Sequence, residues 1–239
     1  MSSIFYPAHE RGHVQFDWLD TYHSFSFGQY HDPTKIHFGA LRVLNDDKID
    51  AGMGFGTHPH DNMEIITIPL FGDLHHRDST GRDCIIKEHD VQIMSAGSGI
   101  KHSEVNPNKD KRVELFQIWI FPKERNITPR YDQKSFLPED RVDQLLTVVS
   151  PNEPNTLFIN QDAWLSLGHF KKPFTTKYPM HQAGQGLFAI CIEGTCTVGG
   201  QVLGRRDAVG ISGVEAVQIE ATAGSDLLLI EIPHFTTGA

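Results

Sequence analysis

"GTHPHDNMEIITIPLFGDLHHRDSTG" runs from Gly56 to Gly81, and its first five residues decide how the chain is read. His58 and His60 flank Pro59, just ahead of a β-branched run. In an extended strand residues i and i+2 face the same side, so the two imidazoles share one space. Pro59 points the other way and holds the backbone extended. Glu64 has the same parity and is a further group for that space. Later, "SAGSGIKHSEVN" (95–106) repeats the spacing with His102 and Glu104. Beside the first pair, the second makes three imidazoles and a carboxylate. That donor set suits a divalent transition metal: Fe, Ni, Co, Cu, Mn or Zn. Three or four protein ligands leave positions open for chemistry at the ion. An isolated His-x-His is more often incidental than a metal site. The second pair, in a Gly-rich turn, is what lifts this one above that.

Around these motifs the chain reads as mostly strand. The runs 37–49, 64–76, 84–96 and 113–122 are short and apolar or alternating, separated by turn clusters such as "DSTGRD" and "NPNKDK". One helix is predicted, over "PEDRVDQLLTVV" (138–149), where a proline and acids precede spaced Val and Leu. Residues 123–150 are richer in proline and charge and read as a connection between two units. The second half repeats the pattern of the first. Gly72 matches Gly194, and Asp90 matches Asp207, each in a strand–turn–strand–turn series. Such a repeat predicts an all-β chain of two tandem barrels, residues 1–135 and 136–239. Closure of each barrel removes the exposed edges that many short strands create.

Composition narrows the partners. The 239 residues suffice for one large or two small domains. A net charge of −9, with no block of Lys or Arg, disfavours contact with nucleic acid. No basic segment followed by an apolar run opens the chain, and no stretch approaches a membrane span. Three cysteines argue against a disulfide framework and for a reducing cytoplasm. Cys191 and Cys196 flank "IEGT", a tight turn; they read as small buried residues, with a redox pair left open.

These motifs resemble the cupin superfamily. Gly52, His58-x-His60, Glu64 and Gly72 match its first motif, with the last glycine one residue late; Gly99, His102 and Asn106 match the second, with Gly97 where a proline is usual. "GFGTHPHDNMEI", "HHRDSTG" and "MSAGSGIKHSE" resemble more narrowly the pirin family, a set of two-barrel cupins. "WLDTYHSFSFGQYHDP" and "LRVLNDD" are similar to bacterial pirin-like proteins, including those described as quercetin dioxygenases.

The resemblance implies one metal centre, in the first barrel, with His58, His60, His102 and Glu104 as ligands and Fe(II) the usual ion. Glu64 fills the general cupin position and competes with Glu104, which the pirin pattern prefers. Projection from Gly194 puts Met180 and Gln182 where His58 and His60 stand, so a second barrel without metal ligands is expected; His181 lies nearby alone. His76 and Asp78 are expected to stabilise a turn. His23, His31 and the aromatics Tyr22, Phe25, Phe27 and Tyr30 are expected to pack. Met53, Phe55, Met94, Phe116 and Trp119 are candidates for an apolar pocket or for plain core. The implied activity is dioxygenase cleavage of a flavonol such as quercetin by O2, with Glu104 as the base. The alternative is an iron-binding, redox-sensing regulator that acts through a protein partner, and a third reading is another cupin activity. Two barrels packed on each other are compatible with a monomer.

Overall fold

The computed structural model describes residues 1–234. Its first twelve strands are β1 (Ser2–Tyr6), β2 (Gly12–Gln15), β3 (Leu19–His23), β4 (Leu41–Ile49), β5 (Gly54–His60), β6 (Glu64–Phe71), β7 (Leu74–Asp78), β8 (Asp83–Ile86), β9 (Asp90–Ser95), β10 (Ile100–Val105), β11 (Val113–Ile120) and β12 (Arg130–Ser135). Ten follow: β13 (Leu145–Ser150), β14 (Leu157–Phe158), β15 (Trp164–Phe170), β16 (Phe174–Pro179), β17 (Gln185–Glu193), β18 (Cys196–Val198), β19 (Gln201–Leu203), β20 (Ala208–Ser212), β21 (Ala216–Ala221) and β22 (Ser225–Pro233). The only helical pieces among the described residues are two short 3-10 turns.

The strands build the same unit twice. A seven-stranded sheet in the order β12-β9-β6-β11-β4-β3-β2 faces a four-stranded sheet, β5-β10-β7-β8. In the second half the orders are β1-β20-β17-β22-β15-β13-β14 and β16-β21-β18-β19. The repeat seen in the sequence is therefore structural. Gly72 and Gly194 turn the chain after β6 and β17 at φ 73° and 78°, a left-handed conformation that glycine adopts freely. Asp90 opens β9, and Asp207 stands immediately before β20.

The two large sheets pack face to face. Ile66, Ile118 and Phe116 of the first share one buried cluster with Leu165, Phe188 and Ile230 of the second. This is why β6 and β17 are buried along almost their whole length: one face looks into a barrel, the other into the partner sheet. The small sheets alternate instead. Lys101 of β10 is exposed while His102 and Glu104 are buried, because only one face of that sheet is covered.

The two barrel interiors differ. The second is filled by one continuous apolar cluster that includes Leu187, Val217, Ile219 and Leu229. The first holds two smaller clusters, one around Leu74, Ile86 and Leu115 and one around Ile65, Met94 and Ile100.

Three expectations need correction. β1 does not belong to the barrel assigned to residues 1–135. It pairs antiparallel with β20, Ser2 opposite Ser212 and Tyr6 opposite Ala208, and so closes an edge of the second barrel. The matching edge in the first barrel is closed by β12, paired with β9. The helix predicted over 138–149 is one 3-10 turn, Pro138–Arg141, followed by strand β13. Asp143 turns the chain at φ 53°, and Val148 and Val149 are then buried as strand residues. Sheet pairing overrides a weak helical pattern there. Part of the predicted connection, residues 123–150, is likewise paired strand, β12 and β13.

Cys191 and Cys196 are free thiols buried in the second barrel's apolar interior. No helix among the described residues is long and apolar enough to cross a membrane.

Candidate metal centre

The pairing of β5 with β10 assembles the histidines. His58 lies directly opposite His102, and His60 opposite Ile100, with a bulge between His102 and Glu104. The ring centroids are 4.4 Å apart for His58–His102 and 4.8 Å apart for both His58–His60 and His60–His102. One donor atom from each of these three rings lies within 4.8 Å of the others. On its other side β10 pairs with β7, which sets His76 opposite Glu104. His76, His102 and Glu104 form a second group of the same compactness, with His102 common to both.

The hydrogen bonds show which donor atoms are free. The Nδ1–H of His58 donates to the Gly56 carbonyl at 2.8 Å, leaving the Nε2 lone pair free. Among the described residues neither ring nitrogen of His102 has a partner, although the residue is 2% exposed. Glu104 accepts at Oε2 from Gln117 Nε2, 2.8 Å away, and its buried Oε1 has no donor among the described residues. Trp119 Nε1 donates to Gln117 Oε1 at 3.1 Å and so holds the amide in place. Orphaned buried polar groups cost about 1–3 kcal/mol each. Several in one spot are explained by a cation that the residues present fit: imidazole nitrogens and one carboxylate oxygen, the donors of a divalent transition metal.

The electrostatics agree. Burial, reinforced by neighbouring imidazoles, pulls His102 down to about 3 and His60 down to about 4. Both rings are therefore neutral at neutral pH, with lone pairs available to a metal. A stability prediction follows from the sign of these shifts. Below about pH 6.5 the unfolded chain takes up protons that the folded rings refuse. The metal-free protein should lose stability as pH falls from about 6.5 to 4. Urea midpoints across that range should be flatter for a His60→Gln/His102→Gln variant; an equal slope would show that other groups govern the acid limb.

Glu64 goes elsewhere. Its Oε2 accepts from Ser95 Oγ at 2.8 Å and from the Asn160 amide at 3.2 Å. Strand parity failed to place it because Asn62, at φ 47°, breaks the extended run between His60 and Glu64. His76 holds its turn as expected: Nε2 lies 2.9 Å from Asp78 Oδ2, and Asp78 Oδ1 accepts from Thr80. Its other nitrogen, Nδ1, is buried without a partner beside the centre.

The centre opens into a cavity of about 490 Å³. Phe16, Trp18, Phe27, Phe55 and Trp119 supply its aromatic walls. His60 stands against Trp119 with centroids 4.9 Å apart, and Phe27 meets Trp119 edge-on at 5.2 Å. Its polar lining includes His23, Asn45, Asp47 and Gln117. Of the five pocket candidates from the sequence, Phe55 and Trp119 line it. Met53 is 43% exposed, while Met94 and Phe116 are buried in apolar clusters. Phe27 and His23, expected to pack, also line the cavity. Sequence reasoning missed Asn45, Asp47 and Gln117. The available signal was polar residues at inward positions of otherwise apolar strands.

The second barrel is built differently at the matching place. Val217 lies opposite Tyr178, and Ile219 opposite Val198. Strand for strand, Tyr178 takes the place of His58, Val217 that of His102 and Ile219 that of Glu104. Projection from Gly194 thus ran two residues late, because the loops before β6 and β17 differ in length. His181 bonds to Glu231 at 2.7 Å and stacks on Trp164, centroids 4.4 Å apart.

Comparison with known proteins agrees with this architecture. Residues 6–120 match the Pirin family, and residues 147–232 match the quercetinase C-terminal cupin domain. The chain is 42% identical over 229 residues to quercetin 2,3-dioxygenase of Escherichia coli K12, covering 95% of this chain and 96% of that protein. It is 36% identical over 227 residues to a pirin-like protein of Caulobacter vibrioides, covering 94% and 97%. The crystal structure of the bacterial pirin YhhW from Escherichia coli in complex with nickel(II) superposes with a TM-score of 0.92 at 39% identity, over 98% of this chain and 100% of that one. With the same two-barrel fold and relatives matched over nearly its full length, the chain belongs to the pirin family of cupins.

Proposed function

We propose that this protein is a metal-dependent dioxygenase that opens the heterocycle of a flavonol such as quercetin. One flavonol and one O2 give a ring-opened ester and carbon monoxide. The observation that carries this is the union of two features: a compact set of free imidazole and carboxylate donors, and an aromatic-walled cavity of about 490 Å³ opening directly onto it. That volume lies in the range of small-molecule sites. The relatives named quercetin 2,3-dioxygenase support the choice of substrate class.

In this assignment His58, His60, His102 and Glu104 hold one divalent ion, which supplies Lewis acidity to the substrate's hydroxyl oxygen. Fe(II) is the expected ion, with Ni, Co, Mn, Cu or Zn as competitors for the same donors. Gln117 fixes the Glu104 carboxylate at Oε2 and leaves the buried Oε1 available to an ion. The aromatic walls seat the planar rings and exclude water, which strengthens every polar contact inside.

Oxygen uptake with quercetin tests the assignment, on protein reconstituted separately with Fe(II), Ni(II), Co(II), Mn(II) and Cu(II). Uptake is expected to require metal and to vanish in a His58→Ala/His60→Ala variant. Protein shown to hold metal, yet inert with every ion, would overturn the dioxygenase assignment in favour of a metal-binding protein without turnover.

A further inference from the structure

The cavity contains a second carboxyl group that the metal centre does not use. β4 alternates strictly here: Asn45 and Asp47 line the cavity, while Asp46 between them faces the other barrel, bonded to Arg11 and Arg206. Asp47 is 3% exposed. Its Oδ1 accepts a hydrogen bond from the Thr21 hydroxyl on β3. Among the described residues no group donates to Oδ2, and no cation pairs with Asp47. Lys48, next along the strand, is bonded instead to Asp20 at 3.1 Å. Asp47 and Glu104 are the two carboxylates lining the cavity, one from each facing sheet.

We propose that Asp47 is the general base of this cavity: its Oδ2 takes the hydroxyl proton of the bound flavonol and later returns it to an oxygen of the ring-opened product. In the first transfer the substrate O–H bond breaks, an O–H bond forms at Asp47 Oδ2, and the electron pair stays on the substrate oxygen. The second transfer reverses this at the product, so the carboxylate is regenerated. The inference rests on the flavonol assignment above and divides the labour within it.

Glu104 is poorly placed for that work. One of its oxygens is held by Gln117 and the other is buried without a partner among the described residues, in a residue grouped with His76 and His102, and a carboxylate engaged by a cation is a weak base. Asp47 has no such engagement. A base must also have a proton affinity near the working pH. Burial raises the proton affinity of Asp47, and the Thr21 hydrogen bond opposes that rise. The titratable groups around it are His23 on its own sheet and His58, His60 and Glu104 on the facing sheet. β11 presents Leu115, Gln117 and Trp119 to this interior and contributes no charge.

Deprotonation of a flavonol changes its absorption spectrum, so the proton transfer is visible without turnover. Metal-loaded protein is mixed anaerobically with quercetin near pH 7, then oxygen is admitted. Wild type is expected to form the flavonolate on binding. Asp47→Asn should bind metal and quercetin within a few-fold of wild type, form the flavonolate only at higher pH, and turn over about 100-fold more slowly. Thr21→Val is the second variant. It deletes the bond that favours the ionised form, so the midpoint of the kcat/KM pH profile should rise; a purely structural role for Asp47 leaves that midpoint in place. An Asp47→Asn protein with wild-type spectra and turnover overturns the proposal and leaves the flavonol assignment standing. Wild-type protein that neither binds quercetin nor consumes oxygen sinks both. If Asp47→Asn does not fold, an unmoved midpoint in Thr21→Val is the overturning result.

Discussion

Replacing His102 by alanine is expected to remove metal binding and flavonol turnover together. His102 is the one residue shared by both compact donor groups. It sits on β10 between β5 and β7, so the ladders on both sides keep the backbone in place when the ring is lost. Both its nitrogens lack partners among the described residues. Loss of a hydrogen bond behind a metal ligand typically costs about 10–100-fold in affinity. Loss of the ligand itself should exceed about 100-fold, enough to leave the protein metal-free at micromolar concentrations. Competition against a chelator, with metal counted per chain, measures this. Glu64→Gln is the control: its carboxylate serves Ser95 and Asn160, so metal content should be unchanged. A His102→Ala protein that keeps full metal content, or a Glu64→Gln protein that loses it, would mean that the centre lies elsewhere.

The cluster of potential donor side chains was legible in the sequence because it depends on local spacing. His58 and His60 share a face by strand parity alone, as do His102 and Glu104, and the two strands pair in the register that spacing needs. The doubling of the barrel was also legible, since turn glycines and strand-opening acids recur at matched positions. Parity failed where the chain leaves extended geometry. Asn62 redirects Glu64; the Asp61-Asn62 pair is a turn signal that strand parity alone ignored. β1 was misplaced because its pairing with β20 joins residues from opposite ends of the chain. The cavity was only half visible. Phe27 read as packing, Phe16 and Trp18 were not singled out, and Asp47 and Gln117 lie on strands that read only as apolar or alternating runs.

A single substitution at Arg206 is expected to have the largest effect on stability. Arg206 is 4% exposed and belongs to the second half of the chain, yet its Nε lies 2.9 Å from Asp46 Oδ2 on β4 of the first. Arg11 NH1 shares that oxygen at 3.1 Å. The Arg206 guanidinium also lies 5.0 Å from the centroid of Phe116, inside the core between the sheets. Arg206→Met removes the more deeply buried of the two cations and leaves Asp46 with Arg11 alone. Breaking a buried pair in this way costs about 3–5 kcal/mol, because the remaining charge stays desolvated. Loss of the cation–π contact adds about 0.5–2 kcal/mol. An Asp46→Leu/Arg206→Met protein no longer buries the carboxylate, so it should be less destabilised than the two single changes added together. Urea unfolding of all four proteins measures the coupling; a cost under about 1 kcal/mol for Arg206→Met would show that the pair is effectively solvated. Whatever the stability loss, metal content per folded molecule should stay at the wild-type level. Asp46 faces the second barrel while Asn45 and Asp47 face the cavity, so alternation along one strand separates the contact that joins the barrels from the groups that line the site.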